Sequence, residues 1–189
     1  MDTSVIDERP PEPGRPEPES PERARTAYAR PQPHGSLPDL VHGELLPADE
    51  RLWVPQSPDV SFRPLVFGVA QGYYVNLLRV RRSGVLSRHR HAGPVHATIL
   101  RGRWRYLEHD WEAVEGGYAY EPPGEVHTLV VPDGVAEMIT MFHVTGSLVY
   151  VDPDGRATGY EDVFTKLDLA RRHYAAVGLG ADLADGFCR

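Results

Sequence analysis

Short apolar runs separated by turn residues fill the middle of the chain and predict β-strands. Examples of the predicted strands are residues 60–69, 73–80, 96–101, 103–107, 126–131 and 135–144, which are rich in residue types that favour strands. Two segments, Pro132-Asp133-Gly134 and Asp152-Pro153-Asp154-Gly155, are predicted hairpin turns, because Pro or Asp opens a turn and Gly accepts a positive φ. Many short strands at this spacing indicate an all-β sandwich or barrel.

One segment near the C-terminus has a helical period instead. Between residues 162 and 177, apolar residues recur every three or four positions, and Gly178 follows as a stop signal. An amphipathic helix packs its apolar face on a neighbouring layer. We therefore expect residues 161–189 to form a helix and tail packed on a β-barrel that takes up residues 39–160.

The first 38 residues differ from the rest in composition. They hold nine of the 18 prolines and few aliphatic residues, as in the segment PPEPGRPEPESPER. Such a segment cannot bury enough apolar surface to offset the entropy of ordering. Residues 1–38 are therefore predicted to be a disordered tail.

Charge and composition narrow the classes of function. The 189 residues fit one domain, and the net charge of −7 argues against a nucleic-acid partner, which would require a basic face. No apolar run approaches the roughly 18 residues of a membrane span. The N-terminus has no secretory signal pattern, and the single cysteine, Cys188, has no partner for an internal disulfide. These features predict a soluble, cytoplasmic protein with no membrane partner.

Three of the nine histidines stand at a spacing typical of a metal site. His89 and His91 are two positions apart, so on a strand both imidazoles face the same side and can occupy adjacent positions around one ion. Downstream, the sequence Gly116-x5-Pro122-x-Gly124-x2-His127 supplies a turn and a third histidine. The two segments, with Gly102 completing the first, resemble the two motifs of the cupin superfamily. The resemblance implies a cupin double-stranded β-helix, a jelly-roll barrel with the metal inside its mouth.

The carboxylate that cupins commonly carry after the second histidine is missing here. In cupins, three or four residues separate this carboxylate from the histidine, and in this sequence the two corresponding positions hold Val95 and His96. Counting forward from His91 allows either position. Counting back from Leu100-Arg101-Gly102 places Val95 at the carboxylate position, with His96 on the opposite side of the strand. We favour this register, because the anchor at Gly102 fixes it and a one-residue slip would reverse the direction of every side chain.

Three neutral imidazoles would leave a divalent metal with its full charge. Such a metal favours an anionic, bidentate oxygen ligand, such as an enolised hydroxyketone. Imidazole suits Fe, Zn, Cu and Ni, so the ligand type alone does not select the metal.

A longer part of the sequence resembles a narrower family. The segments LLRVRRSGVLSRHRHAGPVH, LRGRWRYLEHDW, YEPPGEVHTLVVP and YVDPDGRATGYEDVF are similar to the 2,4'-dihydroxyacetophenone dioxygenase family of cupins. The resemblance implies a homo-oligomeric, non-haem Fe(II) enzyme whose metal is held by His89, His91 and His127. Its substrates would be O₂ and an aryl 2-hydroxyketone, which it would cleave to a carboxylic acid and formate.

The remaining candidate residues are assigned less directly. Glu108, His96 or His109 could act as the base for the substrate hydroxyl, and the aromatic residues expected to wall the substrate are Trp104, Tyr106, Tyr118 and Tyr120. Two other functions fit the same motifs. One is a Zn or Ni cupin that acts as an isomerase or hydrolase, and the other is a non-catalytic cupin that senses a metal or a small ligand.

Overall fold

The computed structural model describes residues 20–189, so the first half of the tail predicted for residues 1–38 lies outside this range. The chain divides into two units, residues 1–38 and residues 39–189. In the first unit, residues 20–38 are exposed and contain one turn of 3-10 helix, Arg23–Arg25. Among the described residues, no helix has the length and apolar character needed to cross a membrane.

Twelve strands in residues 39–189 form two six-stranded sheets. In chain order they are β1 (Val54–Ser57), β2 (Val60–Gly68), β3 (Tyr73–Val80), β4 (Gly84–His91), β5 (Val95–Arg101), β6 (Arg103–Tyr106), β7 (Ala113–Val114), β8 (Tyr118–Glu121), β9 (Val126–Val131), β10 (Met138–Thr145), β11 (Leu148–Val151) and β12 (Ala157–Glu161). The first sheet has the order β1-β2-β3-β10-β5-β8 and the second β12-β11-β4-β9-β6-β7. All pairings are antiparallel. This confirms the predicted all-β cupin fold, a jelly-roll barrel with a C-terminal helix.

The strand predictions differ from the structure mainly at strand ends. The predicted strands 73–80 and 126–131 coincide with β3 and β9, whereas β5 begins one residue earlier and β10 three residues later than predicted. The turn at residues 152–155 closes the β11–β12 hairpin as predicted, with a positive φ at Gly155. The turn at residues 132–134 was wrongly predicted as a hairpin, because it joins β9 to β10 and these strands belong to different sheets.

The predicted helix is present as α1 (Val163–Ala176) and is followed by a short helix, α2 (Asp182–Asp185). A capping box begins α1: the Asp162 side chain accepts a hydrogen bond from the Thr165 backbone N–H, and the Thr165 hydroxyl accepts one from the Asp162 backbone N–H. Gly178, with φ of 78°, follows the end of α1. Leu167, Ala170 and Tyr174 are buried, as the apolar stripe predicted, and so is the charged Lys166.

Strand register aligns the inward-facing side chains in rows across each sheet. In the first sheet, one row consists of Tyr74, Val144, Val95 and Glu121 on β3, β10, β5 and β8. In the second sheet, one row consists of Glu161, Leu148 and His91, and the next of Tyr150, His89 and His127. Most side chains of these rows, including His89, His91 and Glu121, line one cavity.

Candidate metal centre

Three histidine side chains converge between the two sheets. His89 and His91 lie two positions apart on β4, and His127 on β9 is the cross-strand partner of His89. One ring nitrogen from each residue lies within 4.8 Å of the others, and all three residues are buried. The three nitrogens converge on one point, and metal–nitrogen bonds of about 2.0–2.1 Å would draw them slightly closer together.

The turn between β8 and β9 joins the two sheets at this point. It contains Pro122 and Pro123, and Gly124 adopts a φ of 97° that favours glycine. The Gly124 backbone N–H donates a hydrogen bond to the His91 carbonyl oxygen at 2.9 Å. This bond ties the end of β8 and the start of β9 to the end of β4, so that Glu121 and His127 both lie beside His91.

Glu121 supplies a buried carboxylate that the sequence analysis missed. Its side chain is 3% exposed, and Oε2 lies 3.1 Å from Nε2 of His91 and 3.6 Å from Nε2 of His127. Glu121 is the cross-strand partner of Val95, the residue in the position where cupins commonly carry their glutamate. Directly paired residues project from the same face of a sheet, so the neighbouring strand provides the carboxylate that β5 lacks.

Two contacts fix the orientation of the imidazole rings. The Ser87 hydroxyl lies 2.9 Å from Nδ1 of His89, which leaves Nε2 of that ring free to act as a ligand. Tyr106 stacks on His127 with ring centroids 3.8 Å apart and an interplanar angle of 8°. Trp104 in turn packs edge-on against Tyr106, which continues the aromatic support into the core.

Burial keeps His89 and His127 in the form that binds metals. Burial, followed by repulsion from His91 and His127, holds the pKa of His89 well below its usual value. Burial also lowers the pKa of His127 to about 4, although Glu121 opposes the shift. His89 and His127 are therefore neutral at neutral pH, and a metal ion does not have to displace protons from them.

The hydrogen bonding of the site also fits a metal. Within residues 20–189, neither nitrogen of His91, nor Nε2 of His127, nor either carboxylate oxygen of Glu121 has a hydrogen-bond partner. Buried polar atoms normally have such partners, and each one without a partner costs about 1–3 kcal/mol. Here atoms approach within 3.1 Å without hydrogen-bond geometry, as ligands directed at a common ion do.

A cavity of about 300 Å³ adjoins the histidines. His89, His91, Glu121 and the buried Tyr106 line its polar end. The Tyr106 hydroxyl has no hydrogen-bond partner in the described part of the chain, and burial followed by the Glu121 charge raises its pKa well above the usual value. Much of the remaining wall is apolar, including Leu78, Leu86, Leu129, Phe142 and Val144.

The other aromatic candidates lie elsewhere. Trp104 is fully buried in the core, where its indole N–H donates to the Thr140 hydroxyl, and it does not line the cavity. Tyr118 and Tyr120 are 62% and 54% exposed, because they alternate along β8 with the inward-facing Glu121. Of the four aromatic residues expected to wall a substrate, Tyr106 alone lines this cavity.

The candidate bases also lie outside the cavity. His96 alternates along β5 with the fully buried Val95, faces outward as the favoured register predicts, and pairs through Nδ1 with the Tyr118 hydroxyl at 2.6 Å. The Glu108 carboxylate accepts hydrogen bonds from the Thr128 backbone N–H and hydroxyl, both at 2.7 Å. Thr128 follows His127 on β9 and faces the opposite way, so Glu108 supports β9 from its outer side.

Comparison with known proteins agrees with this architecture. Residues 41–149 match the ChrR cupin-like domain family, and the chain belongs to that family. None of the curated proteins compared with the chain matches it.

Solved structures extend the comparison. An RmlC-like cupin protein from Ralstonia eutropha JMP134 is 30% identical over 67% of this chain and 83% of that chain, with a TM-score of 0.64. A cupin-like protein of unknown function from the same organism is 25% identical over 64% and 75% of the two chains, with a TM-score of 0.61. An acetylacetone dioxygenase from Acinetobacter johnsonii is 13% identical over 78% and 99%, with a TM-score of 0.60, and at that identity the likeness shows the fold alone.

Proposed function

We propose that the protein is a non-haem Fe(II) dioxygenase that cleaves the C–C bond of a 2-hydroxyketone. One hydroxyketone and one O₂ give one carboxylic acid and one formic acid, so the reaction balances without a further reductant. The observation that carries the proposal is the cluster of three buried histidines, two of which, His89 and His91, line a cavity together with the Glu121 carboxylate. The sequence resemblance to the 2,4'-dihydroxyacetophenone dioxygenase family and the fold shared with an acetylacetone dioxygenase support it.

His89, His91 and His127 would hold the metal. A bound Fe(II) ion would polarise the ketone and hydroxyl oxygens of the substrate and would supply the redox chemistry for O₂. The three histidines carry no charge, and even with the Glu121 carboxylate beside it a divalent ion would keep a net positive charge. The site would therefore favour an anionic, bidentate oxygen ligand, which a deprotonated hydroxyketone provides.

Glu121 is the group that we assign to accept the proton of the substrate hydroxyl. Its carboxylate lines the cavity, is buried and has no hydrogen-bond partner in residues 20–189. It takes the role predicted from the sequence for Glu108, His96 or His109, none of which lines the cavity. The Tyr106 hydroxyl is available to donate a hydrogen bond to a substrate oxygen, and its raised pKa keeps it protonated.

Anaerobic reconstitution with Fe(II), followed by an oxygen-electrode assay over aryl and alkyl 2-hydroxyketones, tests the proposal. We expect uptake of one O₂ and release of one formate for each ketone consumed. His91→Ala should abolish uptake, whereas the outward-facing His96→Ala should retain it. Iron-loaded protein that consumes no O₂ with any ketone would contradict the proposal. Turnover with Zn or Ni and no O₂ uptake would favour an isomerase or hydrolase, and ligand binding without turnover would favour a sensor.

A further inference from the structure

Three aromatic side chains in mutual contact connect the histidine cluster to the protein surface. The Tyr106 ring stacks on His127, with centroids 3.8 Å apart, and the Trp111 ring packs edge-on against Tyr106, with centroids 5.5 Å apart. The Trp104 ring lies 5.1 Å from that of Tyr106 and 5.8 Å from that of Trp111. We call Trp104, Tyr106 and Trp111 the aromatic cluster. Trp111 is 39% exposed and the other two are buried, so the cluster begins beside a candidate metal ligand and ends in solvent.

The exposed end of the aromatic cluster is held in place by its own segment of chain. Trp111 lies in residues 107–112, between β6 and β7. His109 of the same segment stacks on Trp111, with ring centroids 5.4 Å apart and an interplanar angle of 16°. Nε2 of His109 in turn lies 3.0 Å from Oε1 of Glu125. These contacts hold the exposed indole ring against Tyr106.

The residue types of the aromatic cluster suit electron transfer. Tyrosine and tryptophan lose an electron more readily than phenylalanine, and electron tunnelling between rings falls steeply with distance, so rings in contact exchange electrons efficiently. Phenylalanine would fill the position of Tyr106 without burying a hydroxyl that has no hydrogen-bond partner in residues 20–189. Such a hydroxyl opposes folding, so a tyrosine at this position indicates a chemical role. The tryptophan at the exposed end of the same cluster points to electron transfer.

We propose that the aromatic cluster conducts an electron from Trp111 to the metal when a peroxide reaches the metal with no ketone bound. The inference rests on the proposed function only for a redox-active iron at the histidines. The transfer protects the metal ligands, because an oxidant at the metal otherwise attacks the nearest side chains, which are the imidazoles. It leaves the radical on an exposed residue, where small reductants in solvent can restore it.

Electrons and protons balance for hydrogen peroxide as the oxidant. Its reduction to two water molecules takes two electrons and two protons. One electron comes from Fe(II), which becomes Fe(III), and the other comes from Trp111 together with its indole proton. Trp111 is left as a neutral radical, and solvent supplies the second proton. Tyr106 relays the electron from Trp111, and its phenolic proton moves to Glu121 and returns, since Tyr106 and Glu121 line the same end of the cavity.

Spin trapping on Fe(II)-loaded protein tests the proposal without turnover. One equivalent of hydrogen peroxide is added anaerobically, without ketone and with a nitroso spin trap. The trap forms a C–N bond to a ring-carbon radical and marks the residue for peptide mass spectrometry. We expect the adduct on Trp111 in the parent protein. Tyr106→Phe should lower the yield of this adduct severalfold, and Trp111→Phe should abolish it and increase oxidation of the three histidines.

Two controls separate electron transfer from diffusion of an oxidant. Trp111→Tyr is matched to Trp111→Phe, because the two new side chains differ by one hydroxyl, and it should restore an adduct at position 111. Tyr120 is 54% exposed and lies on the other sheet, so an adduct there reports an oxidant that has left the metal. Iron content and circular dichroism verify that each variant folds and holds the metal.

The outcomes distinguish this inference from the proposed function. A Trp111 adduct that Tyr106→Phe leaves unchanged overturns the inference, and so does an equal yield on Tyr120. An iron-loaded parent protein without the Trp111 adduct overturns it even if no variant folds, and a protein that retains no iron contradicts both proposals. Ketone turnover with a Trp111 adduct that does not depend on Tyr106 overturns this inference alone. A Tyr106-dependent adduct in a protein that consumes no O₂ with any ketone supports the inference and contradicts only the dioxygenase activity.

Discussion

Replacing Glu121 is expected to change stability and metal binding in opposite directions. In the metal-free protein, Glu121→Leu removes two buried carboxylate oxygens that lack hydrogen-bond partners in residues 20–189. An unsatisfied buried polar group costs about 1–3 kcal/mol, so the free energy of unfolding of the metal-free variant should exceed that of the parent protein by about this amount.

The same change should weaken metal binding. The Glu121 carboxylate lies 3.1 Å and 3.6 Å from nitrogens of His91 and His127, and loss of a partner beside metal ligands typically lowers affinity about 10- to 100-fold. At a free metal concentration of about 100 times the parent's Kd, the parent gains about 2.7 kcal/mol from binding. The variant then gains only about 0.4–1.4 kcal/mol, so its advantage in stability should largely disappear or reverse.

Urea unfolding followed by circular dichroism, with a chelator or with metal, measures both effects. Glu125→Leu is the matched control, because Glu125 is 43% exposed and pairs with His109 at the surface, and it should shift the free energy of unfolding by no more than about 0.5 kcal/mol. If metal-free Glu121→Leu is less stable than the parent by more than about 1 kcal/mol and binds metal as tightly, the carboxylate is a structural group and the reasoning fails.

Three further predictions concern the same cavity and its surroundings. Burial lowers the pKa of His127 to about 4 from 6.5, so the unfolded state binds more protons, and stability that is full above pH 6.5 is lost as the pH falls toward 4. In urea unfolding of the metal-free protein, this group should make the free energy of unfolding about 2 kcal/mol lower at pH 5 than at pH 7, and equal free energies would contradict the lowered pKa. Lys166→Met should lower the free energy of unfolding by about 3 kcal/mol, because it leaves the Glu161 carboxylate without its counter-charge. The loss should not be larger, since three hydrogen bonds still hold Glu161. The double variant Lys166→Met/Glu161→Leu should stay within about 1 kcal/mol of the parent protein in the same assay. His127→Ala should abolish metal retention measured by elemental analysis, and His96→Ala should preserve it; equal losses would contradict the outward placement of His96.

The histidine cluster could be predicted because its geometry depends on local spacing. His89 and His91 share a face through the two-residue period of a strand, and the turn at Gly124 returns the chain to the same place with His127. The register of β5 was also predictable, since the anchor at Gly102 fixed which of Val95 and His96 faces inward.

Glu121 could not be assigned in the same way. Its position beside His91 depends on the pairing of β5 with β8, which brings together residues distant in sequence, and no local pattern specifies that register. The same pairing decides that Tyr118 and Tyr120 face outward. Because the sequence did not show that Glu121 faces inward, the aromatic residues of β8 could be assigned to either face of the sheet. The burial of Lys166 could not be predicted either, because a charged residue in an amphipathic helix is normally assigned to the solvent-exposed face.

Some of the residues that line the cavity lie beyond the part of the chain that matches the family. The family match covers residues 41–149, whereas Tyr150, Glu161 and Lys166 come from the segment that follows it. Changes confined to the last forty residues could therefore alter one part of the cavity wall and leave the histidine cluster as it is. A chimera that joins this C-terminal segment to a related barrel would keep the barrel's histidines and take Tyr150, Glu161 and Lys166 from this chain.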